Sequence, residues 1–90
     1  MQFAKVIGSA VSTQKHPDLI GKKLLLVQST DPQGNMVDNR INVAVDCCGC
    51  GEGEWVLVTS GSSARMAINE PNTAIDLAIV AIVDTVSMHG

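Results

Sequence analysis

The fold is decided by the stretch Leu77-Ala78-Ile79-Val80-Ala81-Ile82-Val83, seven consecutive apolar residues near the C-terminus. Its β-branched content is typical of a strand, which we expect to cover residues 75–86. A strand with one solvated face alternates apolar and polar residues, whereas this one is apolar on both faces. In a chain of only 90 residues, burial on both sides is best explained by a partner subunit. The last strand therefore predicts an oligomer.

The same stretch is too short to cross a membrane as a helix, which needs about 20 apolar residues. The N-terminus lacks a basic region followed by an apolar core, so we expect no signal peptide. The chain contains three cysteines. Without an export signal, these indicate a reducing cytoplasm.

Composition predicts one small domain, residues 1–90, with a slight core. Hydrophobic residues make up 46% and charged residues 17%, which excludes a disordered tail. Aromatic residues make up only 2%, namely Phe3 and Trp55. A domain of this size buries only about 60% of the surface that its unfolded chain exposes. Oligomerisation is an obvious way to supply the missing burial.

Four further strands and one helix are predicted upstream of the last strand. The strands cover residues 2–14, 22–30, 41–46 and 54–60, and the helix lies in residues 61–67, bounded by Pro71. Gly8 within the first strand predicts a bulge or a sharp bend. The sequence Asp31-Pro32-Gln33-Gly34 fits a type I turn. Residues 47–53 contain three glycines and are predicted to turn a hairpin.

These elements together predict a mainly all-β fold. Short strands, a glycine-bent first strand and one small helix between the fourth and fifth strands are typical of a closed five-stranded barrel of the OB type. We expect no internal repeat, linker or second domain.

The loop Cys47-Cys48-Gly49-Cys50 contains a C-x-x-C pair. Thiolates at that spacing can bind zinc or an iron–sulfur cluster, or act as a redox pair. A closed zinc site needs four ligands, and the two histidines, His16 and His89, are distant in sequence. We therefore interpret the thiols as small residues that fill tight space and expect neither a metal nor another cofactor. One alternative stays open, in which cysteines from several subunits assemble a metal or redox site at an oligomer axis.

No set of residues indicates an active site, so the sequence does not predict an enzyme. Ser62 and Ser63 lack the nucleophile elbow and are interpreted as helix-capping residues. Asp46, Asp76 and Asp84 end strands and are interpreted as solvated carboxylates rather than an acid/base pair. The net charge of −3 and the thinly spread basic residues argue against nucleic acid, although an OB-type nucleic-acid module remains a further alternative.

Beyond these patterns, the sequence resembles the EutN/CcmL family, the pentameric vertex proteins of bacterial microcompartment shells. The resemblance covers essentially the whole chain, and members from propanediol-type shells look closest. It is carried, in order, by Met1-x-x-Ala4-x-Val6-x-Gly8, Lys23-Leu24-Leu25-Leu26-Val27, Val43-Ala44-Val45-Asp46, Gly51-x-Gly53-Glu54-x-Val56-Leu57, Gly61-Ser62-Ser63-Ala64-Arg65 and Ile75-Asp76-Leu77-Ala78-Ile79-Val80-x-Ile82-Val83-Asp84.

The resemblance implies an OB-like barrel in a homopentamer shaped like a truncated pyramid. It implies a structural role, in which the pentamer caps the fivefold vertices and closes the polyhedral shell. The implied partners are hexameric and trimeric shell proteins, with no nucleic acid and no membrane. The implied location is the microcompartment shell in the cytoplasm.

The resemblance also places two segments toward the central axis, and the last strand predicts a subunit interface. The axial candidates are Gly49, Cys50, Gly51, Glu52, Gly61, Ser62 and Ser63. The interface candidates are Arg65, Ile79, Val80, Ile82 and Val83. Cys50 departs from the family pattern, because it replaces the alanine of a Gly-Ala-Gly motif. This leaves open a redox or metal role for Cys47, Cys48 and Cys50.

Overall fold

A computed structural model describes residues 1–10, 23–67 and 77–87. In this part of the chain, five strands and one short helix follow each other in the predicted order. They are β1 (Gln2–Ala10), β2 (Leu24–Thr30), β3 (Met36–Asp46), β4 (Trp55–Ser60), α1 (Gly61–Ala67) and β5 (Leu77–Ile82). Parts of the predicted first, second and last strands, residues 11–14, 22 and 75–76, lie outside the described residues, as does Pro71.

The five strands close into a barrel in the order β1-β2-β3-β5-β4. Four of the pairings are antiparallel, and the fifth, between β3 and β5, is parallel. The parallel contact is short, since it pairs Val45 with Ala78 and Asp46 with Ile79. The predicted fold class, a mainly β closed barrel with one small helix, is confirmed.

The hairpin predicted over residues 47–53 is wrong. Gly49 and Gly53 do adopt the left-handed conformation that a tight turn uses, with φ of 76° and 89°. However, β3 and β4 are not neighbours, because β5 lies between them and pairs with both. The most apolar strand of the chain thus has both edges paired within the sheet.

The core is aliphatic and lies inside the barrel. Alternate residues of each strand point inward, so that β1 contributes Ala4 and Val6, and β4 contributes Val56 and Val58. The two aromatic residues lie outside this cluster. Phe3 and Trp55 stack with ring centroids 5.2 Å apart. The Trp55 indole Nε1–H donates to the Thr30 hydroxyl at 2.9 Å, which satisfies its polar group.

Two local predictions are confirmed. The register of β1 against β2 shifts between Val6 and Gly8, which is the bulge expected there. In the turn after β2, the Gly34 N–H donates to the Asp31 carbonyl at 3.0 Å, as in a type I turn. The Asp31 carboxylate also accepts the backbone N–H groups of Gln33 and Asn35.

Strand β3 begins five residues before the predicted start, and its first part pairs irregularly with β2. Ile41 pairs with Gln28 and Met36 pairs with Thr30, so the four residues 37–40 face a single residue of β2. Every side chain from Met36 to Ile41 is exposed. Regular pairing resumes at Ile41, where the sequence pattern predicts the strand to begin.

The start of β5 is buried on both faces within one protomer. Ala78 and Ile79 are both 0% exposed, and Ile79 belongs to the core cluster. Ala78 pairs with the buried Thr59, and α1 packs against β4 and β5. Helix α1 therefore covers the outer face, and the explanation of the double burial by a partner subunit is wrong for this half of the strand.

We predict that Ile79→Ala lowers the free energy of unfolding by about 2–5 kcal/mol, because it leaves a cavity in the core. The measurement is chemical denaturation at several protein concentrations. Val37→Ala is the control. Val37 is 57% exposed, and its truncation should change stability by less than about 0.5 kcal/mol. Equal effects of the two substitutions would contradict the core position of Ile79.

Candidate functional site

The Asp46 carboxylate organises the loop that follows β3. Its Oδ1 accepts the backbone N–H groups of Cys48 at 2.9 Å and Gly49 at 3.0 Å. Its Oδ2 accepts the N–H of Cys50 at 2.9 Å. The side chain is only 2% exposed, so the interpretation of Asp46 as a solvated carboxylate is wrong. The backbone N–H groups of Cys48, Gly49 and Cys50 replace the water molecules that the carboxylate loses on burial, and the loop therefore curves around this charge.

Lys23 contacts the same loop from the start of β2. Its Nζ lies 3.8 Å from Asp46 Oδ2 and donates to the Cys50 carbonyl at 2.9 Å. The lysine side chain is 56% exposed, so solvent screens this ion pair. The loop is therefore held mainly by the hydrogen bonds to Asp46, with Lys23 as a secondary contact.

The second half of the loop is fixed to β1. The Glu54 carboxylate accepts the Gly51 N–H at 2.6 Å. The Val6 N–H donates to the Glu54 carbonyl at 2.9 Å, and the Gly53 N–H donates to the Val6 carbonyl at 2.7 Å. The loop is thus anchored at both ends, to β3 and β1, and Glu52 is exposed between the anchors.

The three cysteines of this loop have different environments. Cys50 is 1% exposed and belongs to the core cluster. Burial and the hydrogen bond of its thiol to Asp46 raise the pKa of Cys50 to about 12. Cys47 and Cys48 are exposed. Partial burial, and the nearby Cys48 and Asp46, also raise the pKa of Cys47. Neither shift favours a reactive thiolate.

This arrangement does not support the alternative of a metal or redox conduit. Within the described residues, no group of three or more His, Cys, Asp or Glu side chains is placed to hold a metal ion. The buried Cys50 keeps its proton, and Asp46 already accepts three backbone hydrogen bonds. His16, His89 and Asp76 lie outside the described residues.

The predicted axial residues fall into two groups at opposite ends of β4. Gly49, Cys50, Gly51 and Glu52 precede the strand, and Gly61, Ser62 and Ser63 follow it. A strand of six residues is about 17 Å long between its end Cα atoms, so the structure does not bring the groups together. Cys50 faces the core, while Glu52, Ser62 and Ser63 are exposed. Their position at an axis stays a prediction.

The predicted interface residues also differ in exposure. Ile79 is fully buried in its own protomer and has no surface to offer a neighbour. Val80 and Val83 are half-buried, and Ile82 is 40% exposed. The backbone of Arg65 lies in α1. Its side chain lies outside what the structure describes.

Sequence reasoning missed an exposed apolar surface on β3. Ile41 is 54% and Val43 50% exposed, because Ala44 takes the inward position and the preceding Val43 points to the opposite face. The alternation of Ile41, Val43 and Val45 normally marks an inward face. Ala44 nevertheless takes the inward position, although it lies between two valines in the sequence, and its partner Leu25 also belongs to the core.

An opening of about 380 Å³ lies at the barrel end near the start of β1. Asp38 and Arg40 supply its charged lining, and the inward-facing Ala4, Val27 and Val58 contribute apolar atoms. Asp38 accepts the backbone N–H of Arg40. The lining has no pair of carboxylates and no cysteine, so it offers no acid/base or thiol chemistry.

Among the described residues, no helix has the length and apolar character that crossing a membrane requires. What these residues define is a small closed barrel with a firmly anchored glycine-rich loop and an exposed apolar sheet face. That is a small β-barrel module with an exposed apolar surface.

The family model described as "Ethanolamine utilisation protein EutN/carboxysome" matches residues 1–84. The chain belongs to this EutN/CcmL family, and the predicted resemblance is confirmed. It is 53% identical to the bacterial microcompartment shell vertex protein PduN of Salmonella typhimurium, over 97% of this chain and 99% of the relative. It is 46% identical to the carboxysome shell vertex protein CcmL of a Nostoc species, over 99% and 88% of the two chains.

A solved structure agrees with these relatives. It is the GrpN pentameric microcompartment shell protein from Rhodospirillum rubrum, with 44% identity and a TM-score of 0.87. The match covers 99% of this chain and 100% of that one. At 44% identity, the two proteins are similar in sequence as well as in fold.

We predict that Asp46→Asn destabilises the protein by about 1–3 kcal/mol, because the amide cannot accept all three N–H groups. Burial alone would raise the pKa of Asp46, but the hydrogen bonds from Cys48, Cys50 and Gly49 outweigh it and hold the pKa below 3.8. The carboxylate therefore contributes stability above about pH 4 that is lost as the pH falls through its lowered pKa.

Denaturant unfolding between pH 7 and pH 2 measures this effect. The wild-type protein should lose more stability on acidification than Asp46→Asn, and Glu52→Gln, which changes an exposed carboxylate of the same loop, should behave like wild type. Parallel pH profiles for wild type and Asp46→Asn would contradict the role of the charge.

We also predict that Cys50 is unreactive in the folded protein. In the double variant Cys47→Ser/Cys48→Ser, the remaining thiol should react with a maleimide at pH 8 only as fast as the protein unfolds, because Cys50 is buried and protonated. Cys50→Ala, which keeps both exposed thiols, is the matched control and should label rapidly. Rapid labelling of the double variant would show that Cys50 is accessible.

Proposed function

We propose that this chain forms a homopentamer that occupies the fivefold vertices of a bacterial microcompartment shell and closes it. The observation that carries the proposal is the full-length match to a pentameric shell protein, at a TM-score of 0.87. Relatives from two kinds of compartment, PduN and CcmL, are both named shell vertex proteins.

The physical need for such a unit is geometric. A flat sheet of hexagonal tiles cannot close into a polyhedron unless fivefold units are inserted at its corners. Rings of identical chains form when a head-to-tail interface closes on itself, and fivefold rotation is one such solution. The role requires a rigid block of defined shape, which a closed barrel with an anchored loop supplies.

A ring also compensates for the small size of the protomer. The core cluster contains only aliphatic residues and Cys50, and small domains bury too little surface to be comfortably stable alone. Residues such as Ile41 and Val43 leave apolar surface exposed on the isolated protomer. Assembly would remove that surface from water, at roughly 25 cal/mol for each Å².

We propose a mechanical role without catalysis. The relatives are named as shell components, Cys50 is buried in the core, and burial raises the pKa of both Cys47 and Cys50, which disfavours their thiolates. The proposed partners are further copies of this chain and the hexameric or trimeric proteins that form the shell facets. Neither nucleic acid nor a membrane has a part in this role.

We predict that the purified chain has the native mass of five copies of a 9.4 kDa chain, about 47 kDa. In cells, the chain should restore closed polyhedral shells when it replaces the vertex protein of a microcompartment-forming bacterium. Electron microscopy of thin sections provides the readout, and an empty vector is the control. A monomer of 9.4 kDa at micromolar concentration, or open and elongated shells despite normal expression, would contradict the function.

A further inference from the structure

We propose that one end of the barrel binds a small neutral polyhydroxyl compound, of the size of a monosaccharide or a sugar alcohol. The site is the opening of about 380 Å³ near the start of β1, which we call the barrel mouth. Its polar lining is supplied by Gln2, Ser29, Asp38, Arg40, Asn42 and Ser60. The inference concerns the single protomer and does not rest on the proposed pentamer.

The strand register directs polar side chains into the barrel at this end. Asn42 pairs with Val27, whose side chain lies in the core. Ser29 pairs with Ala4, which also lies in the core. Because paired residues of antiparallel strands point to the same face of the sheet, Asn42 and Ser29 point into the barrel. Gln2 does so too, since it stands two residues before Ala4 on β1.

These inward polar side chains have no protein partner among the described residues. No hydrogen bond to another described residue is formed by the side chains of Gln2, Ser29, Asn42 and Ser60. Ser29 and Asn42 are half-buried, and polar groups that lose water on burial are normally paired. Their capacity for hydrogen bonding is therefore available to a molecule that enters the barrel mouth.

The composition of the lining favours a neutral ligand that bears hydroxyl groups. The two amides and two hydroxyls of the lining can each donate and accept hydrogen bonds, as the hydroxyl groups of a ligand can. Arg40 and Asp38 add one charge of each sign at the rim, so the lining has no net formal charge. An ion of either sign would meet a like charge there and would also lose part of its hydration.

The size and floor of the barrel mouth fit the same class of ligand. Its volume lies near the lower end of the range for small-molecule sites, and the mouths of β-barrels are a common place for them. A water molecule occupies about 30 Å³ in the liquid, so the opening holds about a dozen atoms of carbon or oxygen size. The core residues Ala4, Val27 and Val58 contribute apolar atoms that can contact the C–H groups of such a ligand.

The first test is an NMR titration of the full chain, in its native assembly, with sorbitol. Sorbitol should cause saturable shifts of the side-chain amide signals of Gln2 and Asn42, with a Kd of about 1–10 mM for a ligand of this size. Gluconate and glucosamine, which add a negative and a positive charge to a similar carbon skeleton, should bind about tenfold more weakly.

Two asparagines of β3 provide a matched pair of variants. Asn42→Ala should weaken sorbitol binding about three- to tenfold, because it removes the donors and the acceptor that face the ligand. Asn39→Ala should bind like wild type, since Asn39 is exposed on the same strand and does not line the barrel mouth. Unchanged backbone amide spectra away from the site should show that both variants are folded.

An exposed rim carboxylate tests the charge argument separately. Asp38→Asn should improve gluconate binding about fivefold and leave sorbitol binding within about twofold, because the Arg40 guanidinium then faces no carboxylate. The amide of the new side chain can still accept the Arg40 N–H that Asp38 accepts.

Three results would overturn the assignment. Sorbitol might give no saturable shift at Gln2 and Asn42 up to about 50 mM, well above the expected Kd. Gluconate or glucosamine might bind wild type more tightly than sorbitol does, which would refute the neutral class of ligand. Equal affinities of Asn42→Ala and Asn39→Ala would refute the position of the site.

Discussion

The described structure depends on one buried carboxylate at the point where three elements meet. Asp46 ends β3, pairs with Ile79 of β5, and donates its N–H to the Lys23 carbonyl at the start of β2. Its side chain then accepts the first three free N–H groups of the following loop. Because the parallel contact between β3 and β5 is only two pairs long, the loop that Asp46 holds helps to close the barrel at this end.

This construction suits a structural role. Cys50 lies in the core beside Asp46, where its small side chain fills space and its thiol donates to the carboxylate. This position therefore holds a thiol that is not a reactive group. The exposed apolar residues of β3, Ile41 and Val43, point away from the core, and a small aliphatic domain gains stability when assembly covers surface of this kind.

Much of the fold could be predicted from the sequence because its signals are local. Alternation defined the strands, Gly8 indicated the bulge, and Asp31 to Gly34 specified the turn. Neighbour relationships could not be read in this way, since alternation does not say which strands pair, and the insertion of β5 between β3 and β4 was missed. The burial of Asp46 was also missed. Its partners are backbone N–H groups, which any residue except proline provides, so the types of the neighbouring residues do not indicate them.

The most direct test of the central role of Asp46 is amide hydrogen exchange in the loop that it holds. Cys48, Gly49 and Cys50 lie in a glycine-rich loop. In a mobile loop, their backbone amides would exchange as fast as those of an unstructured peptide. The structure predicts strong protection at all three, because each N–H is bonded to a carboxylate that is 2% exposed. Exchange at the rate of an unstructured peptide would contradict it.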